Sequence, residues 1–291
     1  MKKLCVFSLL ISILASSCLQ KNYESLEWQS ASITTDGHID DWSNPLRFYD
    51  YKSKINYSIS NDLQNIYLCI KISDRPTQMK ILRAGMEFKI DPLGKSGFPV
   101  TFMYPLSNQN KLKHQRNADN DSENKTGDKQ ERTQMMKRYL LEAKNAQLIG
   151  FKPEFGTNVS LLGNSTGIMA AINIDNVGIM CYEAVIPFET FYKKLLSNVD
   201  SNLVFNYEIK INAMPAPSMN SGGGYNGGGS AGGMGGRGMQ GGGGQRAGGM
   251  RGVGSQGGSY NSSTYSEMYN ANEIKMKMKF ALGDKPMELV K

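Results

Sequence analysis

The sequence predicts an all-β fold: an antiparallel, immunoglobulin-like β-sandwich with one or two short helices and two low-complexity loop insertions. Three observations support this prediction. Apolar and polar residues alternate along several short segments, as in strands that have one buried and one solvated face. β-branched and aromatic residues are concentrated in those segments. Two long stretches between them are polar or glycine-rich and lack the apolar residues that a core requires.

The chain begins with a predicted signal peptide, residues 1–17. Lys2 and Lys3 precede an apolar stretch that is too short to span a membrane, and small residues follow it. The ending "LASSC" resembles a bacterial lipobox, with its leucine one position earlier than usual. This resemblance implies that Cys18 is diacylated and becomes the mature N-terminus, which would make a stable membrane anchor. Ordinary secretion with a coincidental cysteine is the alternative.

The remaining chain has the length of one domain with insertions. Residues 18–25 are predicted to form a tether, residues 26–282 the sandwich and residues 283–291 a tail. Residues 107–132 are almost wholly polar and residues 221–258 are mostly glycine, so both are expected to be solvated loops rather than parts of the core.

The strands are predicted from local patterns in chain order. "KINYSIS" and "IYLCIKIS" flank "NDLQN" and indicate a hairpin, and "GMEFKID" ends at a Pro and Gly turn. Further strand candidates are "GFPVTFMYP", "AQLIGF", "GIMAAINID" and "GIMCYEAVIPF". The final pair, "LVFNYEIKINAM" and "NEIKMKMKFAL", alternates most regularly, and the glycine-rich segment between them is predicted to be a hairpin loop. "TQMMKRYLLEAK" has the spacing of an amphipathic helix, and "FETFYKKLL" predicts a short helical turn.

The charge of the chain does not indicate a nucleic-acid partner. The formal net charge is +7, and removal of Lys2 and Lys3 leaves +5. Arginines in the glycine-rich segment resemble RGG segments of nucleic-acid-binding proteins. Export behind a lipid anchor argues against that partner, so we expect no nucleic acid to be bound.

Five short motifs, in this order, resemble the carbohydrate-binding module family 9 group within the DOMON-like β-sandwiches. They are "DGHIDDW", "INYSISNDLQNIYLCIKISD", "MEFKIDPLGK", "YEAVIPF" and the closing strand pair. The resemblance covers most of residues 26–282 apart from the two insertions. It implies a β-sandwich that binds sugar between aromatic rings with calcium nearby, and, in some DOMON-type domains, haem.

Exposed aromatic residues are the candidates for sugar recognition, because flat apolar rings stack on sugar rings while polar groups satisfy hydroxyls. The candidates are Tyr49, Tyr51, Phe98, Phe102 and Tyr104. The alternative is that these aromatics belong to strands and the core.

Calcium is the cation that the sequence could accommodate. Asp36, Asp40 and Asp41 supply carboxylate oxygens at one turn, as a hard cation requires. Asp-Gly also forms a turn by itself, because Asp bonds the backbone and Gly accepts positive φ. The sequence leaves both interpretations open.

No motif for catalysis is apparent, and we expect a protein that is not an enzyme. Met86, Met180 and His38 are conceivable haem ligands, but methionine more often fills gaps in a core, so haem is not expected. Cys69 and Cys181 either pair in a disulfide or act as small buried residues.

Together these features predict a lipid-anchored, non-catalytic binding protein of the cell envelope, on a bacterial outer membrane. Whether it faces the periplasm or the cell exterior is left open by the sequence. The expected ligand is a carbohydrate, and the alternative is a structural or assembly lipoprotein that holds an envelope protein partner.

Overall fold

The protein is described here by a computed structural model that covers residues 23–92, 99–106, 129–215 and 267–283. The described residues form mostly β-strands in two sheets with two short α-helices, which confirms the predicted all-β sandwich. The signal peptide, Cys18, the glycine-rich insertion and most of the polar insertion and of the tail lie outside the described residues.

Twelve strands build the two sheets. In chain order they are β1 (Glu27–Trp28), β2 (Phe48–Asp50), β3 (Ile55–Asn61), β4 (Asn65–Ile72), β5 (Met86–Asp91), β6 (Val100–Tyr104), β7 (Asn145–Ile149), β8 (Asn158–Ser160), β9 (Met169–Ile174), β10 (Met180–Pro187), β11 (Val204–Ile211) and β12 (Asn272–Lys279). The first sheet has the order β1-β3-β4-β10-β9, with β2 also pairing with β3. The second sheet has the order β12-β11-β5-β6-β7-β8. β1 runs parallel to β3, and all other strand pairs are antiparallel.

The core lies between the inner faces of the two sheets. Phe205, Tyr207 and Ile209 of β11 are buried, as their alternation predicts. Across the interior, the ring of Tyr104 from the second sheet lies 5.5 Å from the ring of Tyr182 in the first, centroid to centroid. Burial of such aromatic and aliphatic side chains is the main favourable contribution to folding.

Two α-helices pack beside the sheets. α1 (Arg75–Ala84) connects β4 to β5, and α2 (Lys129–Glu142) precedes β7. The sequence patterns predicted α2 but not α1. The signals for α1 were present, since the side chain of Asp74 caps it by accepting from the backbone N–H of Thr77 and Gly85 ends it. The segment after Pro187 forms only a 3₁₀ turn, Phe188–Thr190.

The chain before β2 joins the two sheets at one edge. The backbone N–H of Leu26 donates to the carbonyl of Lys279 in the second sheet, and two residues later Trp28 pairs with Asn61 in the first sheet. The side chain of Asn61, which is fully buried, bonds both the N–H and the carbonyl of Ala281. The end of the sandwich that contains Asn61 is called the Asn61 end below.

Alternating charges cover the outer face of the second sheet. Lys89 lies 2.9 Å from Glu208 and 3.1 Å from Glu87, and Lys210 and Lys275 extend this set of ion pairs to either side. These groups sit opposite one another on β5, β11 and β12, where opposite charges stabilise a sheet by cross-strand attraction.

β11 and β12 pair along their full length, so the glycine-rich insertion connects two directly paired strands, as predicted. The chain that enters β12 is held by α1. Lys80 is almost fully buried, and its ammonium group donates to the carbonyls of Glu267 and Asn270 and to the side chain of Asn272. Burial lowers the pKa of Lys80.

Deletion of residues 222–258 should therefore leave the fold intact. The paired strands and the Lys80 contacts remain, and shortening a loop changes its closure free energy by less than about 1 kcal/mol. Thermal unfolding of the shortened and full-length soluble forms checks this prediction. A fall in Tm of more than about 5 °C would show that the insertion contributes to the core.

Candidate functional site

The segment that contains the motif "DGHIDDW" covers the middle of the outer face of the first sheet. The opening loop, residues 33–46, carries Ile33, Ile39, Trp42 and Leu46, and these pack on Tyr67, Cys69, Cys181 and Val185. β4 is therefore buried on both faces. The apolar outer-face residues Tyr67 and Cys69 were a sequence signal for such a cover.

A single buried carboxylate holds this loop. One oxygen of Glu183 accepts from the backbone N–H groups of Gly37 at 2.7 Å and Asp36 at 3.1 Å. The other accepts from the indole N–H of Trp42 at 2.6 Å. Glu183 is fully buried, and this burial raises the pKa of its carboxyl group while the three donors oppose the rise.

Glycine is required where the loop touches β9. Gly37 has φ +81°, and a Cβ added there would lie 2.6 Å from the Cβ of Asn173. A side chain at this position would be strained by its backbone conformation and would collide with the strand. The motif "DGHIDDW" is thus explained by the docking of the loop on the sheet.

Two of the three aspartates proposed as metal ligands, Asp36 and Asp41, bond the backbone of the turn itself. Asp36 accepts from the N–H of His38 and Asp41 accepts from the N–H of Thr34, each at 2.8 Å, while Asp40 is exposed. Among the described residues, no three His, Cys, Asp or Glu side chains are grouped as a metal site would require. The contacts favour the turn interpretation, and calcium binding stays a prediction.

Two of the five aromatic candidates were wrong. Phe102 and Tyr104 are almost fully buried on the inner face of β6, and the hydroxyl of Tyr104 donates to the carbonyl of Ala143, so neither can contact a ligand from solvent. Phe98 lies outside the described residues. Tyr49 and Tyr51 remain, with 47% and 85% of their surface exposed.

The two exposed tyrosines pack edge to face, with ring centroids 4.7 Å apart. Tyr49 lies opposite Asn56 on β3, and Asn56 lies opposite Lys71 on β4. Directly paired residues project from the same face of a sheet. We call this row of Tyr49, Tyr51, Asn56 and Lys71 the tyrosine platform; it lies beside the opening loop on the outer face of the first sheet.

Asn56 and Lys71 were not among the residues predicted to contact a ligand. Each interrupts the apolar pattern of its strand as an ordinary solvated residue would, so neither attracted notice as a ligand contact. The predicted hairpin did not supply this pairing: a turn centred on "NDLQN" would place Asn56 opposite Ile70, whereas the observed pairing of Asn61 with Ile66 places Asn56 opposite Lys71.

A shallow depression of about 250 Å³ lies on the other side of β2, at the open edge between the sheets. It is lined by Tyr23, Glu24, Phe48, Tyr57, Met276, Lys277 and Met278. Phe48 and Tyr57 stack with centroids 5.2 Å apart, and the guanidinium of Arg47 lies over the Phe48 ring. Aromatic groups therefore lie on both sides of this short strand.

The two described cysteines are free thiols under the opening loop. Their sulfur atoms are 3.9 Å apart, and Cys69 is paired in register with Glu183 rather than with Cys181. The contact with Cys181 and the burial both raise the pKa of Cys69. The pair acts as small buried residues beneath Trp42 in this structure.

Comparisons with protein families, with curated proteins and with solved structures give no significant match for this chain. Within the described residues, none of the helices has the length and apolar character needed to cross a membrane.

Replacement of Glu183 by Gln should destabilise the protein by about 1–3 kcal/mol, because an amide offers one acceptor oxygen to three buried donors. Urea unfolding of the soluble form checks this prediction. Glu208→Gln is the matched control: Glu208 is a partly exposed carboxylate in the ion pairs of the second sheet, and its loss should cost less than about 1 kcal/mol. Equal effects of the two substitutions would contradict the anchoring role of Glu183.

Proposed function

We propose that this protein is a lipid-anchored binding protein of the cell envelope that recognises carbohydrate at the tyrosine platform without catalysing a reaction. The observation that carries the proposal is the exposed Tyr49–Tyr51 pair, in which Tyr49 is in register with the polar side chains of Asn56 and, one strand further, Lys71. The resemblance of the sequence motifs to sugar-binding β-sandwiches supports the same ligand class.

The platform combines the two kinds of group that sugar binding uses. Tyrosine rings offer flat apolar surface to the C–H face of a sugar and lose little conformational entropy when they are immobilised. Asn56 supplies a planar amide that donates and accepts, and Lys71 supplies up to three donors. Neither side chain has a hydrogen bond or ion pair to another described residue, so both groups are available to a ligand.

The proposed anchor places this surface near a membrane. Cys18 precedes Tyr23, the first described residue, by five positions, which span at most about 18 Å when extended. Tyr23 lines the depression together with Phe48, the neighbour of Tyr49. A saccharide on the platform would therefore be bound close to the membrane that carries the anchor.

A second candidate function, that of an assembly protein with an envelope protein partner, has its own support. Four large apolar residues are exposed in the segments at the Asn61 end: Trp28, Leu195, Val199 and Leu203. The segment that contains three of them is attached to that end by the bond from the N–H of Leu196 to the carbonyl of Leu63. Exposed apolar residues that share one end of a domain are typical of protein contacts.

Tyr51→Ala should weaken saccharide binding about tenfold, because the substitution removes a stacking ring that is almost fully exposed and contributes little to folding. Isothermal titration of the soluble form against an oligosaccharide panel, with calcium and then with EDTA, checks this prediction. Tyr51→Phe keeps the ring and should keep most of the affinity. Equal affinity of wild type and Tyr51→Ala for every sugar bound would contradict a role for the platform.

The second candidate predicts a different result. Val199→Asp together with Leu203→Asp should abolish a stoichiometric cross-link to one envelope protein in native membranes, because charge is introduced into an apolar contact. Leu141→Asp, an exposed apolar residue on α2, is the control. Binding of sugars by the wild type with no cross-linked partner would favour the carbohydrate function.

A further inference from the structure

We infer that the saccharide recognised at the tyrosine platform is acidic, with its carboxylate or phosphate group paired to Lys71. This inference rests on the proposed carbohydrate function and specifies the ligand class.

Lys71 differs from the other lysines that project from the middle strands of the sandwich. On the outer face of the second sheet, Lys89 and Lys210 each lie within 3.5 Å of a glutamate oxygen. Near the platform, Lys54 is paired with Asp74 and Glu267, and Arg47 is paired with Glu24. Lys71 is also half-buried in a middle strand, but no acidic side chain among the described residues forms an ion pair with it.

The surroundings of Lys71 favour a bound anion. Lys71 is half-buried, so a charge that reaches it is screened less than at a fully exposed site. Asn56 lies directly beside Lys71 and can donate to a second oxygen of the same carboxylate or phosphate. Hydrogen bonds from an ammonium group to an anionic oxygen are about twice as strong as neutral ones.

The spacing suits one sugar residue and its acidic substituent. Tyr49 and Lys71 are separated by two strand spacings, roughly 10 Å between backbones. A pyranose ring stacked on Tyr49 or Tyr51 would then direct an acidic group across Asn56 toward the Lys71 ammonium. In this arrangement the rings of Tyr49 and Tyr51 bind the sugar ring, and the ammonium group of Lys71 gives an acidic sugar a higher affinity than a neutral one.

Matched acidic and neutral ligands test the inference. The carboxylate arm compares tetragalacturonate with its methyl ester, and the phosphate arm compares a phosphorylated oligomannose with its dephosphorylated form. Titrations of the soluble wild type at low and at high salt should show about tenfold tighter binding of at least one acidic ligand than of its neutral partner, with the difference reduced by salt. The arm that shows the difference identifies the acidic group.

Variants connect that preference to Lys71. Lys71→Gln should lower the affinity for the acidic ligand more than that for the neutral one, so that the difference between them disappears, and Lys71→Arg should retain the preference. Lys210→Gln, a paired lysine on the opposite sheet, is the control and should behave as wild type. Circular dichroism verifies that each variant is folded.

The outcomes separate this inference from the proposed function. Equal binding of acidic and neutral sugars that depends on Tyr51 would overturn the acidic preference and leave the carbohydrate function standing. An acidic preference that persists in Lys71→Gln would overturn the role of Lys71. Absence of binding to every saccharide would overturn both the function and this inference.

Discussion

The arrangement of this sandwich depends on one buried carboxylate. Glu183 projects from the outer face of β10 and accepts hydrogen bonds from two backbone N–H groups and one indole N–H of the opening loop. A buried carboxylate is costly unless donors satisfy it, and Glu183 accepts three of the described bonds between loop and sheet, the side chains of His38 and Asn173 forming another. The sheet and the loop therefore stabilise each other. The N–H groups of the loop donate hydrogen bonds to the buried carboxyl group of Glu183, and these bonds hold the loop over the apolar residues of β4 and β10.

This docking determines which part of the first sheet can meet a ligand. The loop covers Tyr67, Cys69, Cys181 and Val185. Lys71, which is paired in register with the covered Cys181, lies at the border of the loop, and Asn56 and Tyr49 continue the same row away from it. The second sheet presents the opposite situation, because Glu87, Lys89, Glu208 and Lys210 on its outer face pair with one another. The two outer faces thus differ in chemistry: among the described residues, the first carries two exposed tyrosines beside Asn56 and Lys71, and the second carries cross-strand ion pairs.

The strands were predicted correctly where one face of the strand is buried and the other is exposed to solvent. In β11 and β12 the alternation identified the strands, their buried residues and their pairing across the glycine-rich insertion. It was less informative for β6, where Phe102 and Tyr104 belong to the same kind of aromatic pattern as the exposed Tyr49 and Tyr51. Local sequence does not state which side of a strand faces a second sheet, so the aromatic candidates could not be sorted into ligand and core residues. α1 was missed because it is polar overall and is defined by its caps at Asp74 and Gly85 rather than by an apolar stripe.

By itself the sequence determined the all-β class, most of the longer strands, the hairpin of β3 and β4, and the turn at Asp36 and Gly37. These features follow from side-chain alternation and local backbone chemistry, which act over a few residues. Only the tertiary structure decided that Glu183 holds the opening loop, 146 residues away from Gly37 in the chain, and that Tyr49, Asn56 and Lys71 form one row. Those relations depend on which strands become neighbours, and that choice is made by burial of the whole core rather than by any local pattern.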